Sequence, residues 1–565
     1  MQISYKAFIV LLLSLLMLSS CDDYGNNKKN INSNQNKLST VTTSTAKLSS
    51  VDYSNIIPLP VEAQQGTGYF VLANTKQIFI SASQPKLIAV ANQLTTAISS
   101  VVEQSIEINV ISGQKLLDIN LSKFSVEKNQ IFLLVDSELA GGPEAYSMVI
   151  EEQLISIVGG SEAGVFRGIQ TLKQLLPLAD DNKLAVLQTG IINDYPRFEH
   201  RGFMLDVARH FYTVDEVKQV IDYLAAYKYN VFHFHLTDDQ GWRIEIPSWP
   251  KLTEVGSNSA VGQQSCENCF YSLDEYQEIV QYADERFITL IPEIDVPGHV
   301  KAALAAYPDE LYCDGDKPDW PYTGVEVRIS SLCFSNPKIY DFFEDVVSEV
   351  AKRTTGQYIH VGGDETPKWV KHQDYADFML KASDIISKHG KTLIGWTNDL
   401  GSVDGLSSDV VGQHWNNKNH CCENTVNMAK SGNKIVMSPA NKTYLDLKYD
   451  KDAPIGLHWA GYNSIENSYN WDPELMIEGL TAKNIIGVEA ALWGETIKSM
   501  SDAQYMIFPR LLSLAEVAWS PQEQRSWSAF SKRLAQQLDT LEQQGINYRP
   551  LAKEGLLSKQ AKSRN

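Results

Sequence analysis

The sequence lacks the features of several large classes of protein. Its N-terminal apolar run, Ala7 to Leu18, is too short to cross a bilayer. Basic residues are outnumbered, 49 against 68 acidic ones, and the net charge of −19 argues against nucleic acid or anionic lipid headgroups as partners. Cysteine is scarce, with 7 in 565 residues, and Cys266-x-x-Cys269 has no second CxxC motif or His pair beside it. The motif alone therefore does not predict a metal or redox site.

The N-terminus has the pattern of an export signal. Lys6 precedes the apolar run, and Leu18-Ser-Ser-Cys21 resembles a bacterial lipoprotein cleavage box. We predict a signal peptide over residues 1–20 and a lipidated Cys21, which would anchor the protein in the bacterial cell envelope and be its only contact with a membrane. An ordinary signal peptide with an incidental Cys is the alternative. Asp22-Asp23 resembles an inner-membrane retention signal of enteric bacteria, but that rule does not transfer reliably, so inner and outer membrane both stay open.

Two regions follow that differ in composition. Residues 21–55 are rich in Asn, Ser, Thr and Lys and predict a disordered tether, because they cannot bury enough apolar surface to fold. Residues 56–195 mix short β-type runs with helical stretches, at 85–99 and 164–176, and predict a small α+β domain. Export favours disulfides, and we expect Cys313 to pair with Cys333, whereas the sequence leaves the other pairings open.

From residue 196 to 550 the pattern changes to alternating strand and helix. Thr213-Val-Asp-Glu216 and Ser272-Leu-Asp-Glu275 are capping boxes, each followed by apolar residues on one helical face. Eight strand-like runs can be counted: 202–206, 231–236, 288–294, 358–362, 392–396, 410–414, 434–438 and 486–492. Eight such units predict a (β/α)₈ barrel, an α/β fold, followed by a C-terminal tail at 551–565.

Polar and aromatic residues recur where these strands end, which is where barrel enzymes place their active sites. The most informative stretch is His360-Val-Gly-Gly-Asp364-Glu365, since two adjacent carboxylates raise one another's pKa and favour a general acid. The alternative is a solvated Asp-Glu pair that opens a helix at Thr366-Pro367.

Four motifs in order resemble the signatures of family 20 glycoside hydrolases, the β-N-acetylhexosaminidases. They begin at Leu205 (LDVARHF), His233 (HFHLTDDQ), Pro292 (PEIDVPGH) and His360 (HVGGDE). The resemblance covers residues 56–545 and implies a catalytic barrel after a small α+β domain. It also implies a retaining mechanism in which the 2-acetamido group of the substrate replaces the enzyme nucleophile.

The resemblance implies a role for each matching residue. Glu365 would protonate the leaving oxygen and later activate water, Asp364 would orient the acetamide N–H, and Tyr444 would bind the acetamide carbonyl oxygen. The other matching positions would bind substrate or tune the acid: Arg209, Asp238, His299, Trp396, Trp415, Asp446, Trp493 and Glu495. Core packing for each Trp, and a structural ion pair of Arg209 with Asp206 or Asp238, are the alternatives.

The family implies no metal and no cofactor, and we expect His233, His235 and His360 to be structural. The expected activity is the exo-hydrolysis of terminal N-acetylglucosamine, or N-acetylgalactosamine, from chitooligosaccharides or related glycans. A sugar-binding lipoprotein without turnover, a β-glucosidase on the same barrel and a disaccharide-releasing relative are the rivals. The natural glycan and the oligomeric state stay open.

Overall fold

The computed structural model of the protein describes residues 47–81, 86–111, 129–177, 183–313, 318–416 and 419–554. The predicted signal peptide, Cys21 and the tether up to residue 46 lie outside these ranges, as does the side chain of Cys421. Within the described ranges, no helix combines the length and the apolar character that a membrane crossing requires.

The predicted tether of residues 21–55 is wrong for its last nine residues, which are folded. Strand β1, Lys47–Ser49, pairs in parallel with residues 183–185. Tyr53 is 4% exposed, and its hydroxyl donates to the carbonyl of Gln188 over 2.8 Å. The polar composition of this segment does not predict a strand. The strand forms because it pairs with a segment more than 130 residues away in the sequence.

The first domain is the predicted α+β unit. Its described strands form one mixed sheet in the order β1-β8-β6-β7-β5-β3-β4, with β2 beside β8. The remaining strands are β2 Glu62–Val71, β3 Gln77–Ser81, β4 Glu107–Ile111, β5 Gln130–Val135, β6 Tyr146–Ile150, β7 Leu154–Gly159 and β8 Lys183–Asp194. Helices α1, Lys86–Val102, and α2, Glu162–Leu175, bury an apolar face in the same core.

The second domain is a closed barrel of eight parallel strands, which confirms the predicted fold. Each predicted run forms a strand, with bounds that differ by two residues at most. The strands are β9 His200–Asp206, β10 Val231–Asp238, β12 Thr289–Ile294, β13 Tyr358–His360, β14 Thr392–Trp396, β15 Val411–His414, β16 Lys434–Met437 and β17 Ile485–Leu492. Strand β17 pairs with β9, and β9 with β10, so the sheet closes. A two-residue strand β11, Gly241–Trp242, pairs antiparallel with the end of β10.

Helices surround the barrel and lie in the connections. They are α3 Val214–Ala226, α4 Lys251–Glu254, α5 Leu273–Asp284, α6 Lys301–Ala306, α7 Pro308–Leu311, α8 Lys338–Arg353, α9 His372–Lys388, α10 Thr397–Leu400, α11 Asn419–Lys430, α12 Ala440–Thr443, α13 Ile465–Tyr469, α14 Met500–Ile507, α15 Arg510–Trp519 and α16 Trp527–Gln543. Both predicted capping boxes are present, at Thr213 and Ser272. The predicted tail starts too early, since residues 551–554 form a turn with Leu551 buried.

Buried ion pairs join the two domains. Glu144 of the first domain contacts Arg201 of β9 at 2.6 Å, and the same carboxylate contacts Arg167 of α2 at 2.9 Å. Burial opposes its ionisation, but the two guanidinium groups outweigh burial and lower the pKa of Glu144 to about 2. Asp194, at the end of β8, contacts Lys228 at 2.8 Å, with both side chains fully buried.

Two disulfides close loops on the side of the barrel that carries the strand ends. Cys313 pairs with Cys333, as predicted, and Cys266 pairs with Cys269. Among the cysteine side chains that the structure describes, Cys422 is free. The CxxC motif is therefore a local disulfide.

Candidate active site

A polar network fills the barrel below the strand ends. His233 contacts Glu489 at 2.7 Å and Glu293 at 2.9 Å, and His235 and His360 contact Glu293 at 2.5 and 2.9 Å. Burial alone would raise the pKa of Glu293, but the three imidazoles hold it well below its usual value. The three histidines therefore form buried contacts with carboxylates inside the barrel, which agrees with the structural role expected for them.

His233, Glu293 and His360 are also close enough in space to be considered as metal ligands, with one atom of each within 4.8 Å of the others. Two zinc bonds of about 2.1 Å at a tetrahedral angle hold their ligand atoms about 3.4 Å apart. Both histidines lie closer than that to Glu293, at 2.9 Å. The arrangement fits direct ion pairs better than a metal site.

The catalytic motif forms a tight loop directly after β13. Gly362 and Gly363 have φ values of +62° and +83°, and a Cβ on Gly362 would lie 2.0 Å from Asp295 Oδ1. The N–H of Gly363 donates to Asp295, and the hydroxyl of Tyr375 donates to the carbonyl of Gly363. No helix begins at residue 366, since the next one, α9, starts at His372. The helix-opening alternative for the Asp-Glu pair is therefore wrong.

Glu365 follows this loop with a positive φ of +52° and a side chain that is 21% exposed. His299 places Nε2 3.7 Å from Glu365 Oε2 and Nδ1 3.1 Å from Asp238 Oδ1. Burial favours a neutral imidazole, but Asp238 and Asp295 hold the pKa of His299 well above its usual value. The structure thus joins Asp238, His299 and Glu365 in one row, as the motif match predicted.

Asp364 lies deeper than its neighbour and is 9% exposed. Burial, and then the nearby carboxylates of Asp295 and Glu365, raise the pKa of Asp364 well above its usual value. Burial also raises the pKa of Asp295, to about 8. One ligand atom from each of Asp295, His299 and Asp364 lies within 4.8 Å of the others. The imidazole of His299 therefore lies close to both of these crowded carboxyl groups.

A cavity of about 450 Å³ opens above these residues, and ten of the eleven predicted catalytic and substrate-binding residues line it. The exception is Trp396, which does not line the cavity. The predicted lipidation site, Cys21, lies outside the described residues. Trp396 is fully buried, donates from Nε1 to Glu293 over 3.1 Å and packs on Trp493 at 5.9 Å between ring centroids. Trp396 therefore packs behind Trp493 and does not itself line the cavity.

Several polar atoms in the wall are buried without a partner in the described protein. They are Arg209 Nε, Trp415 Nε1, both carboxylate oxygens of Asp446 and Glu495 Oε2. Burial and then the charge of Glu495 raise the pKa of Asp446 well above its usual value. Buried polar groups without a partner destabilise a protein, so this wall favours a ligand that forms hydrogen bonds with these atoms.

Arg209 lies at the centre of the wall in two ion pairs. Its Nη1 is 3.2 Å from Asp206 Oδ2 and its Nη2 is 2.6 Å from Asp238 Oδ2, while the guanidinium lies 5.1 Å from the ring centre of Trp493. The structural ion pairs considered for Arg209 are therefore present, and its Nε has no partner in the described protein although the residue lines the cavity.

Tyr444 lies beside Trp493, with 6.1 Å between the ring centroids. Burial and then the charge of Asp364 raise the pKa of Tyr444 well above its usual value, so its hydroxyl keeps the proton that it could donate to a ligand. Trp415 and Trp459 meet edge to face at 5.8 Å. Aromatic faces of this kind are typical of sugar-binding walls.

Sequence reasoning missed part of the wall. Val325, Val327, Arg328, Leu457 and Trp459 line the cavity. All five lie in irregular connections, where no periodicity predicts which side chain faces inward. Asn416, two residues after the end of β15, also lines the cavity.

The chain matches two family descriptions along most of its length. Residues 198–522 match "Glycosyl hydrolase family 20, catalytic domain", and residues 53–195 match "Glycosyl hydrolase family 20, domain 2". A β-N-acetylhexosaminidase of Cellulomonas fimi is 37% identical over 483 residues, which cover 85% of this chain and 93% of the relative. A β-hexosaminidase of Porphyromonas gingivalis is 34% identical, over 87% of this chain and 64% of the relative.

Solved structures agree with these matches. The family 20 β-N-acetylhexosaminidase of Streptomyces coelicolor A3(2) superposes with a TM-score of 0.81 at 35% identity, over 88% of this chain and 98% of the other. A mutant Streptomyces plicatus β-hexosaminidase in complex with its product GlcNAc gives a TM-score of 0.80 at 36% identity, over 89% and 98%.

Proposed function

The chain belongs to glycosyl hydrolase family 20 and is a β-N-acetylhexosaminidase, and we propose that its cavity holds one terminal N-acetylglucosamine with Glu365 as the catalytic acid. The observation that carries this proposal is the pairing of two features in one cavity. Adjacent carboxyl groups with crowded charge lie at its base, and buried polar atoms without partners lie in its wall. A polyhydroxylated ring with an acetamido group would supply a partner for each.

Glu365 is the more exposed member of the carboxyl pair and is the one proposed to reach the leaving oxygen. Its proton passes to that oxygen as the glycosidic bond breaks, and the same carboxylate then takes a proton from the attacking water. His299 lies between Asp238 and Glu365 and is proposed to position the acid through its imidazolium.

Asp364 is proposed to bind the acetamide N–H, which requires its ionised form. As the acetamide oxygen attacks the anomeric carbon, positive charge develops on the acetamide, and a buried carboxylate stabilises it more strongly than an exposed one would. The protonated hydroxyl of Tyr444 is proposed to hold the attacking oxygen. Adjacent residues on one loop cannot readily flank the sugar from opposite faces, which agrees with substrate assistance.

Asp446 and Glu495 are proposed to accept hydrogen bonds from the hydroxyls at the far side of the ring, and Arg209 to donate one. Trp493 and Trp415 would enclose the acetamido group, with Trp396 behind them. Relatives support the ligand, since the Streptomyces plicatus structure contains GlcNAc.

The experiment that tests this function compares an aryl β-N-acetylglucosaminide with the matching aryl β-glucoside. Hydrolysis of the acetamido sugar alone is expected, because only that substrate carries the nucleophile. Cleavage of both would refute substrate assistance, and cleavage of neither by folded protein would favour the binding module or the disaccharide-releasing relative. The aryl β-N-acetylgalactosaminide in the same assay reports on tolerance at the 4-hydroxyl.

We also propose that the enzyme is anchored to the cell envelope through a lipid on Cys21. The support is the sequence Leu18-Ser-Ser-Cys21 after an apolar run. Labelling of cells with a palmitate analogue is expected to mark the native protein and not the Cys21→Ser variant. Labelling of both proteins, or of neither, would contradict the anchor.

A further inference from the structure

Arg328 is a partly exposed cation in a cavity wall that is otherwise rich in carboxylates. Of the two arginines among the described lining residues, Arg209 has a 5% exposed side chain and is held in two ion pairs, whereas the side chain of Arg328 is 38% exposed. Its Nη2 lies 3.8 Å from Glu365 Oε1, and its Nη1 donates to the carbonyl of Thr366 over 3.3 Å. A guanidinium has five N–H donors, so most of them remain available to a ligand.

The segment that carries Arg328 is fixed on both sides. Before it, the carbonyl of Gly324 accepts from Gln240 over 2.9 Å. After it, Ser330 accepts from the N–H of Val300 over 2.9 Å and donates to Asp239 over 2.5 Å. The Cys313–Cys333 disulfide closes the whole segment.

The backbone of Arg328 itself is unusual. Its φ is +64°, in the left-handed region that non-glycine residues rarely adopt. Such a conformation persists only where the surroundings impose it. The surroundings therefore fix the backbone at Arg328, from which the side chain places Nη2 3.8 Å from Glu365 Oε1.

The position of Arg328 relative to the acid identifies the part of the substrate that it faces. Glu365 protonates the oxygen that joins the terminal sugar to the rest of the glycan, so a group beside the outer oxygen of Glu365 faces the leaving sugar. On a β-1,4-linked leaving sugar, the substituent at O3 is on the carbon next to the one that bears this oxygen. An acidic substituent there would lie within reach of the guanidinium.

We propose that Arg328 selects substrates whose leaving sugar carries an anionic group, a carboxylate or a sulfate ester near the scissile bond. This inference rests on the proposed function, because it takes Glu365 as the acid. Asp364, Asp446 and Glu495 in the same cavity, and the net charge of −19, would repel an anionic sugar. A planar guanidinium offsets that repulsion locally by pairing with the anion through two parallel hydrogen bonds.

The test uses two disaccharides that differ at the leaving sugar. One is N-acetylglucosaminyl-β-1,4-N-acetylmuramic acid, whose O3 bears a lactyl carboxylate, and the other is neutral N,N′-diacetylchitobiose. A chitobiose with a sulfate ester on the leaving sugar distinguishes the second source of the anion. In Arg328→Gln, the ratio of kcat/KM for the anionic to the neutral disaccharide is expected to fall at least about tenfold, as for the loss of one charge-assisted hydrogen bond.

Two further variants control this measurement. Arg328→Lys keeps the charge but not the planar fork, and its ratio should lie between those of the native protein and Arg328→Gln. Arg353→Gln removes a partly exposed arginine at the end of α8, at the opposite end of the barrel, and should leave the ratio unchanged.

Ionic strength gives a second measurement that requires no variant. If Arg328 binds the anion, added salt raises the KM of the native protein for the anionic disaccharide more than for the neutral one, because salt screens the attraction. If the carboxylates dominate, the KM for the anionic disaccharide falls instead, which would overturn the proposal.

The outcomes separate this inference from the function on which it rests. A kcat/KM ratio that is the same in Arg328→Gln and in the native protein would refute anion selection. If kcat/KM also fell equally for both disaccharides and the pH profile were displaced, Arg328 would be assigned to the acid instead. Failure of the native protein to cleave either disaccharide or the aryl N-acetylglucosaminide would refute the proposed function itself.

Discussion

Replacing Asp446 by Asn should stabilise the protein while it impairs the enzyme. Both carboxylate oxygens are buried without a hydrogen-bond partner in the described protein. Leaving a buried polar group unpaired costs about 1–3 kcal/mol. Asn has nearly the same shape but no charge, so the variant relieves the burial of a carboxylate and its repulsion by Glu495.

The pH dependence of this effect has a definite sign. Burial and Glu495 raise the folded-state pKa of Asp446. Below the unfolded-state pKa, both states hold the proton and the residue costs nothing through ionisation. As pH rises from there toward the folded-state pKa, the unfolded state loses its proton first, so the native protein loses stability. The advantage of Asp446→Asn in the melting temperature, Tm, should therefore grow with pH, most steeply above about pH 4.

A change of 1 kcal/mol shifts Tm by about 2–4 °C in chains of 150–250 residues, and by about half of that in a chain of this length. The cost of about 1–3 kcal/mol, at about 1–2 °C per kcal/mol, thus corresponds to an increase of about 1–6 °C near neutral pH. Loss of charge-assisted hydrogen bonds to two sugar hydroxyls, each worth about 1.5–3 kcal/mol, should lower kcat/KM by about 10²- to 10⁴-fold.

The assay pairs thermal unfolding between pH 5 and 8 with kcat/KM for an aryl N-acetylglucosaminide. Asp452→Asn is the matched control, since it removes the same charge from an exposed position six residues further on. It should change neither quantity. A lower Tm in Asp446→Asn, or full activity, would refute the reasoning that the residue is kept unpaired for the substrate.

Three further changes address the catalytic loop. Glu365→Gln should lower turnover by about 10²- to 10⁴-fold for substrates with poor leaving groups and far less for a dinitrophenyl substrate, whose leaving group needs no proton; equal losses on both would exclude the acid role. Asp364→Asn should lower kcat/KM by a similar factor for both substrates, because the charge that stabilises the oxazolinium is lost, and normal turnover would argue against substrate assistance. Gly362→Ala places a Cβ against Asp295 at a residue with positive φ, so both Tm and activity should fall, and unchanged kinetics would mean that the loop does not have to be tight.

The barrel was predictable because its signals are local. Strand-like runs such as residues 231–236 are buried on both faces, and the capping boxes at Thr213 and Ser272 mark helix starts without any tertiary contact. The strand at 47–49 was not predictable, since its three residues depend on a partner at 183–185. A strand of three residues is too short to show a periodic pattern of apolar residues, so only its distant partner reveals it.

The candidate site divides in the same way. Residues at strand ends, such as Glu365 and Glu495, follow from the fold, because parallel strands bring their carboxyl ends to one rim. Arg328 lies in a long irregular connection, and its direction depends on hydrogen bonds at Gly324 and Ser330. Asp295 comes close to Asp364 because the glycine turn is tight. The two glycines are visible in the sequence, but the residue that they approach is not.

The buried ion pairs between the domains have a consequence for how this architecture can be inherited. A barrel transferred alone would carry Arg201 and Lys228 without Glu144 and Asp194, and an unpaired buried charge destabilises a protein by about 3–5 kcal/mol. Recombination at the short link after Asp194 would therefore yield a damaged product on either side of the junction. We therefore expect the two domains to be inherited together, because each charged residue at the junction depends on the one that meets it in the other domain.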